Sequence, residues 1–354
     1  MTILNIIYFI LVLSITIFIH ELGHFIFAKR AGIYVYEFCI GMGPRIFKFT
    51  RKNDETEYGI RLFPIGGFVQ MAGESVEEDE DVPEEKRMQS KTWMQRFLTV
   101  IAGVVFNFLL AIVVFTIVAI ATGVPSDKAL VAGINEEYID YEVNLQEGDL
   151  ILSLNDRKIK NQDMLILELQ VAAGKNLDLE VKHKDGTIET VTLIPKEEKV
   201  NDTVTYKYGF YIDSSVSHDF LDIITFGFKK TWNLVTQMIY IIFYLITGRL
   251  NINALSGPVG IFNVVSESAK AGFINIVYLI GFLCVNVGVI NLIPLPADAG
   301  GRVLFMIIEK IKGSPVNPKI ENIIHAIGLI LLMILMLVIT WNDIVKFILL
   351  EALW

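Results

Sequence analysis

Cysteine is scarce: Cys39 and Cys284 are the only two among 354 residues. That excludes a disulfide framework and a zinc site built on several thiolates. Basic charge is scarce too. With 30 Lys and Arg against 39 Asp and Glu the formal charge is -9, and no basic patch suggests a nucleic-acid partner. Histidine occurs five times, so an accidental pair at a metal-binding spacing is improbable. Internal repeats and low-complexity segments are not evident. The first apolar run has no basic n-region before it and is expected to be a retained helix, not a cleaved signal peptide.

What the chain does have is apolar sequence. Hydrophobic residues make up 53% and the mean hydropathy is +0.53, with the charges gathered between long apolar runs. The expected fold is a polytopic α-helical membrane protein with an inserted extramembrane β-rich domain. Spans are expected over 3–28, 97–122, 273–295 and 323–340. Asn286, Asn291, Pro294 and Pro296 should break the third, which membrane depth tolerates only where protein or a wet cavity covers the backbone. Lys91 and Arg96 before the second span, and Arg302, Lys310, Lys312 and Lys319 before the fourth, place those loops in the cytoplasm and both termini outside. The segment 226–247 carries Lys229, Lys230, Trp232 and Gln237; it either spans or lies at the interface, and the interface is favoured.

Chemistry is concentrated in the first run, which reads His20-Glu21-Leu22-Gly23-His24. A helix turns 100° per residue, so the two imidazoles fall on one face with Glu21 beside them. This HExxH pattern offers two ligands to Zn²⁺ and a carboxylate able to act as general base on water. It lies on the order of 10 Å from the Lys29–Arg30 flank, inside lipid, where ionisable groups are functional suspects. A catalytic zinc takes three protein ligands, so one must come from elsewhere. The best acid in an apolar context is Asp298, in Asn291-Leu292-Ile293-Pro294-Leu295-Pro296-Ala297-Asp298-Ala299-Gly300-Gly301. It is either that ligand or a helix cap. Asn107, the polar residue inside the second span, either bonds between helices or lines the active-site cavity.

Residues 58–74 hold aromatic and branched residues around Gly66-Gly67 and suggest a short hairpin near the membrane surface. It is a candidate to pair with an extended substrate as an added strand. The hydrophilic stretch reads as a turn at Gly148-Asp149, a strand after it, a helix over 164–172 and strands over 177–183 and 188–194. His183, beside lysines, reads as a surface residue. The Gly-Asp turn and its strand resemble PDZ domains, which imply peptide binding by strand addition. The expected organisation is 1–123 as a first catalytic membrane segment and 124–199 as a PDZ-like domain. A connector, amphipathic helix and second catalytic segment then fill 200–354.

Taken in order, the HExxH helix, Pro64-Ile65-Gly66-Gly67-Phe68, Ala102-Gly103 with Asn107, the inserted domain, Ser256-Gly257-Pro258-Val259-Gly260 and Asn291-xx-Pro294-x-Pro296 form a specific series. The chain resembles the site-2 protease family of intramembrane zinc metalloproteases over nearly its whole length, most closely the bacterial regulator-of-sigma-E protease type. The resemblance implies His20 and His24 as zinc ligands, Glu21 as catalytic base and Asn291 as a substrate-backbone contact. It also implies a multi-pass protein of the bacterial cell membrane, with the PDZ domain on the extracytoplasmic side. Its partners would be transmembrane substrates such as anti-sigma factors or signal-peptide remnants, within the lipid bilayer. Two departures stand out. Only one PDZ-like domain is found, and Ala299 occupies the position of the family's aspartate, directly before the Gly-Gly pair. A non-catalytic adaptor that binds peptides through its PDZ domain is the alternative reading.

Overall fold

The computed structural model describes residues 2–73, 81–139, 143–200, 203–295, 299–314 and 316–351. The chain opens with helix α1 (Thr2–Ala31), strands β1 (Val35–Thr50) and β2 (Glu57–Met71), and helix α2 (Trp93–Thr122). Next come β3 (Val124–Pro125), β4 (Val131–Ile134), β5 (Leu150–Leu154), β6 (Arg157–Lys158), α3 (Gln162–Val171), β7 (Leu177–Lys182) and β8 (Ile188–Leu193). Strands β9 (Lys196–Val200), β10 (Thr203–Lys207), β11 (Phe210–Ile212) and β12 (Val216–Ser217) lead into α4 (Phe220–Ile246). Helices α5 (Pro258–Ala271), α6 (Phe273–Leu292), α7 (Ala299–Lys312) and α8 (Pro318–Glu351) complete the chain.

Among the described residues four helices are long and apolar enough to cross a membrane: Ile3–Ala31, Trp93–Thr122, Phe273–Leu292 and Ile320–Lys346. The protein is a polytopic helical membrane protein with an inserted strand-rich domain. It divides into one unit of Met1–Val118 with Asn253–Ile348 and another formed mainly by Ala119–Ile252.

Local chemistry sets the helix ends in the first unit. Helix α1 carries Lys29 and Arg30 in its last turn, where the helix dipole favours cations, and stops at Gly32 with φ +67°. A capping box starts α2: the Thr92 hydroxyl accepts from the Gln95 amide at 3.3 Å, and the Gln95 side chain accepts from the Thr92 N–H at 3.1 Å. Pro258 stands at the first position of α5, where its missing N–H costs nothing. Buried Asp343 of α8 accepts the N–H groups of Gly257 and Gly260, each at 2.8 Å, and so ties the Ser256–Gly260 loop to the last span.

Three expectations are corrected in this unit. The hairpin is long, with β1 antiparallel to β2 and its turn near Arg51–Thr56, and Gly66 and Gly67 lie within β2, not at the turn. Glycine is there for close packing: a Cβ on Gly67 would stand 2.8 Å from the Cys39 carbonyl oxygen. The third span runs as a continuous helix through Asn286 and Asn291 and ends before Pro294, because asparagine keeps its backbone N–H and leaves the ladder intact whereas proline does not. The fourth helix, Pro318–Glu351, extends beyond the expected 323–340 on both sides, because the polar residues that end the apolar run do not end the helix.

The second unit is built on an antiparallel sheet of order β6-β5-β7-β8. Strand β7 buries Leu177, Leu179 and Val181 and turns Asp178 and Lys182 outward, the period-2 pattern of a half-buried strand. Helix α3 is capped by Asn161, whose side chain accepts from the Met164 N–H at 2.9 Å. Helix α4 packs on α3 through Lys230–Asp163 at 2.8 Å, a hydrogen bond from Tyr244 to Glu168 and the cluster of Met164, Leu167 and Tyr244. The expected boundary at 199/200 falls inside the β9–β10 hairpin. The strands beyond it complete the domain, β11 pairing with β4 and β12 with β3. His183 is buried, not on the surface, and its Nδ1 lies 2.9 Å from Asp149 in the Gly148-Asp149 turn. That hydrogen bond raises the imidazole pKa above its ordinary value, against the lowering effect of desolvation.

Candidate metal centre

Two glycines bring α1 and α2 into close contact. A Cβ on Gly23 would stand 2.5 Å from the Ala102 carbonyl oxygen, so the backbones touch where glycine removes the side chain. At the same contact Gly103, directly after Ala102, faces His20 and His24. The two rings meet edge to face with centroids 4.7 Å apart, and their Nε2 atoms converge to 3.1 Å. The helical spacing that suggested a ligand pair has therefore placed both nitrogens at one point.

The outer nitrogens of the rings are occupied. Nδ1 of His24 lies 2.8 Å from the Thr99 carbonyl, which can only accept, so Nδ1 carries a proton and the neutral ring keeps its lone pair on Nε2. Nδ1 of His20 lies 3.3 Å from the Asn107 amide nitrogen. Asn107 and Thr99 are fully buried, and the Asn107 oxygen has no hydrogen-bond partner among the described residues. Sequence reasoning left two roles open for Asn107; it bonds between helices, and its partner is a candidate ligand.

Glu21 accepts a hydrogen bond from the Val69 N–H at 3.2 Å, which joins the carboxylate to β2. A cavity of about 270 Å³ opens over the triad. Phe68 and Val69 of β2, Asn291 of α6, and Ala299 and Arg302 of α7 help line it. Asn291 donates to the Val287 carbonyl at 2.9 Å. Gly66 and Gly67 are buried behind this wall. A Cβ on Gly66 would meet Ile17 and Met42 at 3.5 Å, and one on Gly67 would stand 3.8 Å from Cγ of Glu21. Beneath Phe68, buried Glu37 gathers Arg45 and Arg61 at 2.9 Å each and the Cys39 thiol at 2.6 Å, and the Arg61 guanidinium lies 4.4 Å over the Phe68 ring. Sequence reasoning missed Thr99, Arg302 and this ionic node. Only Arg302, a cation directly after Gly300-Gly301, gave a local signal.

The donor set fits a zinc ion. Nitrogens about 2.0–2.1 Å from one tetrahedral ion stand roughly 3.3 Å apart, close to the 3.1 Å found here. The uncommitted Asn107 oxygen adds an acceptor within reach of the second ring. Asp298 lies outside the described residues. Among the described residues no group of three or more His, Cys, Asp or Glu side chains is arranged to hold a metal, so His20 and His24 are the described part of the set.

Comparison with known proteins agrees with this chemistry. The sequence profile of peptidase family M50 matches residues 8–335. Zinc metalloprotease RasP of Oceanobacillus iheyensis is 32% identical over 95% of this chain and 97% of its own length. Regulator of sigma-W protease RasP of Bacillus subtilis is 31% identical, covering 96% and 98%. A putative zinc metalloprotease of Clostridium perfringens is 35% identical, also covering 96% and 98%. The Clostridium alignment takes 341 positions where the Bacillus alignment takes 418 for the same share of this chain, so the Bacillus protein carries segments that this one lacks. By family match and by near full-length similarity, the chain belongs to peptidase family M50 and is a zinc metalloprotease.

Proposed function

We propose that this metalloprotease hydrolyses peptide bonds within the bilayer, in the transmembrane segments of other membrane proteins. One observation carries the reading: the converging histidines and Glu21 lie inside a helix long and apolar enough to cross a membrane, on the order of 10 Å before its Lys29–Arg30 flank. In this reading His20 and His24 are metal ligands, with Asp298 as the third. Bound zinc supplies a Lewis acid that makes water a nucleophile near neutral pH. Glu21 takes the proton of the attacking water on a carboxylate oxygen and returns it to the leaving amine. The Val69 N–H holds one oxygen of that carboxylate against β2.

A helical substrate hides its amides in its own hydrogen bonds and must be drawn into an extended form. The β2 edge at Phe68–Val69, whose amide already reaches Glu21, offers a strand to pair with. Gly66 and Gly67 let that strand approach α1, and Asn291 holds the substrate backbone on releasing Val287. Residues 1–123 and the later spans of 200–354 are the catalytic segments.

The strand-rich unit serves as a PDZ-like peptide binder on the extracytoplasmic side of the cell membrane. Supporting this, a groove of about 670 Å³ runs between α3 and β11, with Ile166, Leu169, Ala173, Phe210 and Ile212 in its walls. Among the described residues strand β11 pairs with β4 on one side only. Exposed Leu221, Ile224, Phe228, Trp232, Ile239 and Phe243 favour α4 as an interfacial helix. The Bacillus subtilis relative is named a regulator of sigma-W protease, and by that likeness the substrates here are membrane proteins such as anti-sigma factors.

The test is cleavage of a labelled transmembrane peptide by purified protein in lipid nanodiscs, with zinc content measured alongside. Glu21→Gln is expected to keep zinc and lose at least about 100-fold in rate, and His24→Ala to lose zinc. Persistent cleavage by Glu21→Gln overturns the assigned base. Because Ala299 lines the cavity, Asp298→Asn and Ala299→Asp are compared in the same assay. Cleavage by Ala299→Asp alone favours the second reading, a peptide-binding adaptor with a weakened site.

A further inference from the structure

We infer that Asn107 is a positioning residue that turns its amide over to match the proton on His20, and so sets His20 Nε2 as a metal donor; this rests on the proposed metal role of the histidine pair. With the His24 proton fixed on Nδ1 by the Thr99 carbonyl, the 3.1 Å contact between the two Nε2 atoms is a hydrogen bond only if His20 carries its proton on Nε2. In that arrangement Nδ1 of His20 is a lone pair and accepts from the Asn107 amide nitrogen 3.3 Å away. Nε2 is then unavailable to a metal.

Metal binding through Nε2 needs the other neutral tautomer, with the proton on Nδ1. The ring exchanges one N–H for the other, so no net proton is gained or lost. Nδ1 then requires an acceptor, and a half-turn of the Asn107 amide supplies one. The amide oxygen has no hydrogen-bond partner among the described residues to give up in turning, and Asn107 is fully buried. An asparagine can serve both tautomers. A carboxylate serves only the metal-binding one, and an apolar side chain serves neither.

The experiment uses the full chain in detergent, with zinc affinity read by chelator competition and cobalt as a spectroscopic substitute. Asn107→Leu is expected to weaken zinc by about 10–100-fold, and Asn107→Asp to bind zinc at least as tightly as wild type with an unchanged cobalt spectrum. Asn107→Leu binding within a few-fold of wild type overturns the inference, as does Asn107→Asp binding as weakly as Asn107→Leu. Should the variants not fold, wild type labelled with ¹⁵N-histidine decides alone: adding zinc moves the His20 proton from Nε2 to Nδ1, and an Nδ1 resonance that stays put overturns the inference. His24→Ala separates the two levels. If it keeps zinc, the metal-centre reading fails; if it loses zinc while Asn107 variants do not, only this inference fails.

Discussion

Gly103→Ala places a methyl group against the His20 and His24 rings. The new carbon would stand 2.5 Å from Nε2 of His24 and 2.8 Å from Nε2 and Cε1 of His20. Carbon needs about 3.5 Å to such neighbours, so the rings must retreat by roughly 0.7–1 Å or the helices must part. Neither is easy. His24 is tied to the Thr99 carbonyl at 2.8 Å, and Gly23 holds α1 against Ala102. Metal–ligand distances tolerate only about 0.2 Å, so zinc affinity should fall by at least about 100-fold, more than losing an outer-shell partner costs. Overpacking costs about 1–3 kcal/mol, and replacing a helical glycine by alanine offsets about 1 kcal/mol of it; the variant should fold while failing to hold metal. Circular dichroism with temperature, metal analysis after dialysis against graded chelators and the cleavage assay together read this out. A folded Gly103→Ala protein with wild-type zinc affinity would refute the packing argument and the assignment of the pair.

Glu37→Gln should destabilise the β1–β2 hairpin by about 2–4 kcal/mol, a little under the ~3–5 kcal/mol of a fully buried broken ion pair because Arg45 is 43% exposed. With Arg61 released, Phe68 shifts at the cavity wall, so KM should rise more than kcat falls; an unchanged Tm and unchanged KM would count against it. In the strand-rich unit the bond to Asp149 raises the folded-state pKa of His183. The added stability is therefore fully present below the unfolded value of about 6.5 and is lost as pH rises through the raised folded value. Hydrogen exchange should show protection of 144–150 and 183–189 falling over that window in wild type and flat in His183→Gln. A flat wild-type profile refutes the latch.

How much of this could be read along the chain depends on the distance over which each feature is decided. The HExxH face, the four described helices long and apolar enough to cross a membrane, α3, and strands β7 and β8 follow from apolar length and from helical and strand periods, and these are local. So are the breaks: Gly32 ends α1 and Pro294 follows α6 because backbone geometry allows little else. Gly66-Gly67 suggests a short hairpin in sequence because glycine serves turns and close contacts alike, and only the Cys39 carbonyl lying against Gly67 tells them apart. His183 looked exposed beside two lysines, yet a partner 34 residues away buries it.

The sequence by itself determined which two rings would share a face of α1 and that they would sit on a helix long and apolar enough to cross a membrane. The tertiary structure decided what stands behind them. Thr99 and Asn107 reach the rings from 75 and 87 residues along the chain, Val69 reaches Glu21 across 48, and Gly103 makes room for both imidazoles. No periodicity encodes such pairings, because they exist only once α1, α2 and the hairpin pack together and each buried polar atom must find its partner in another element.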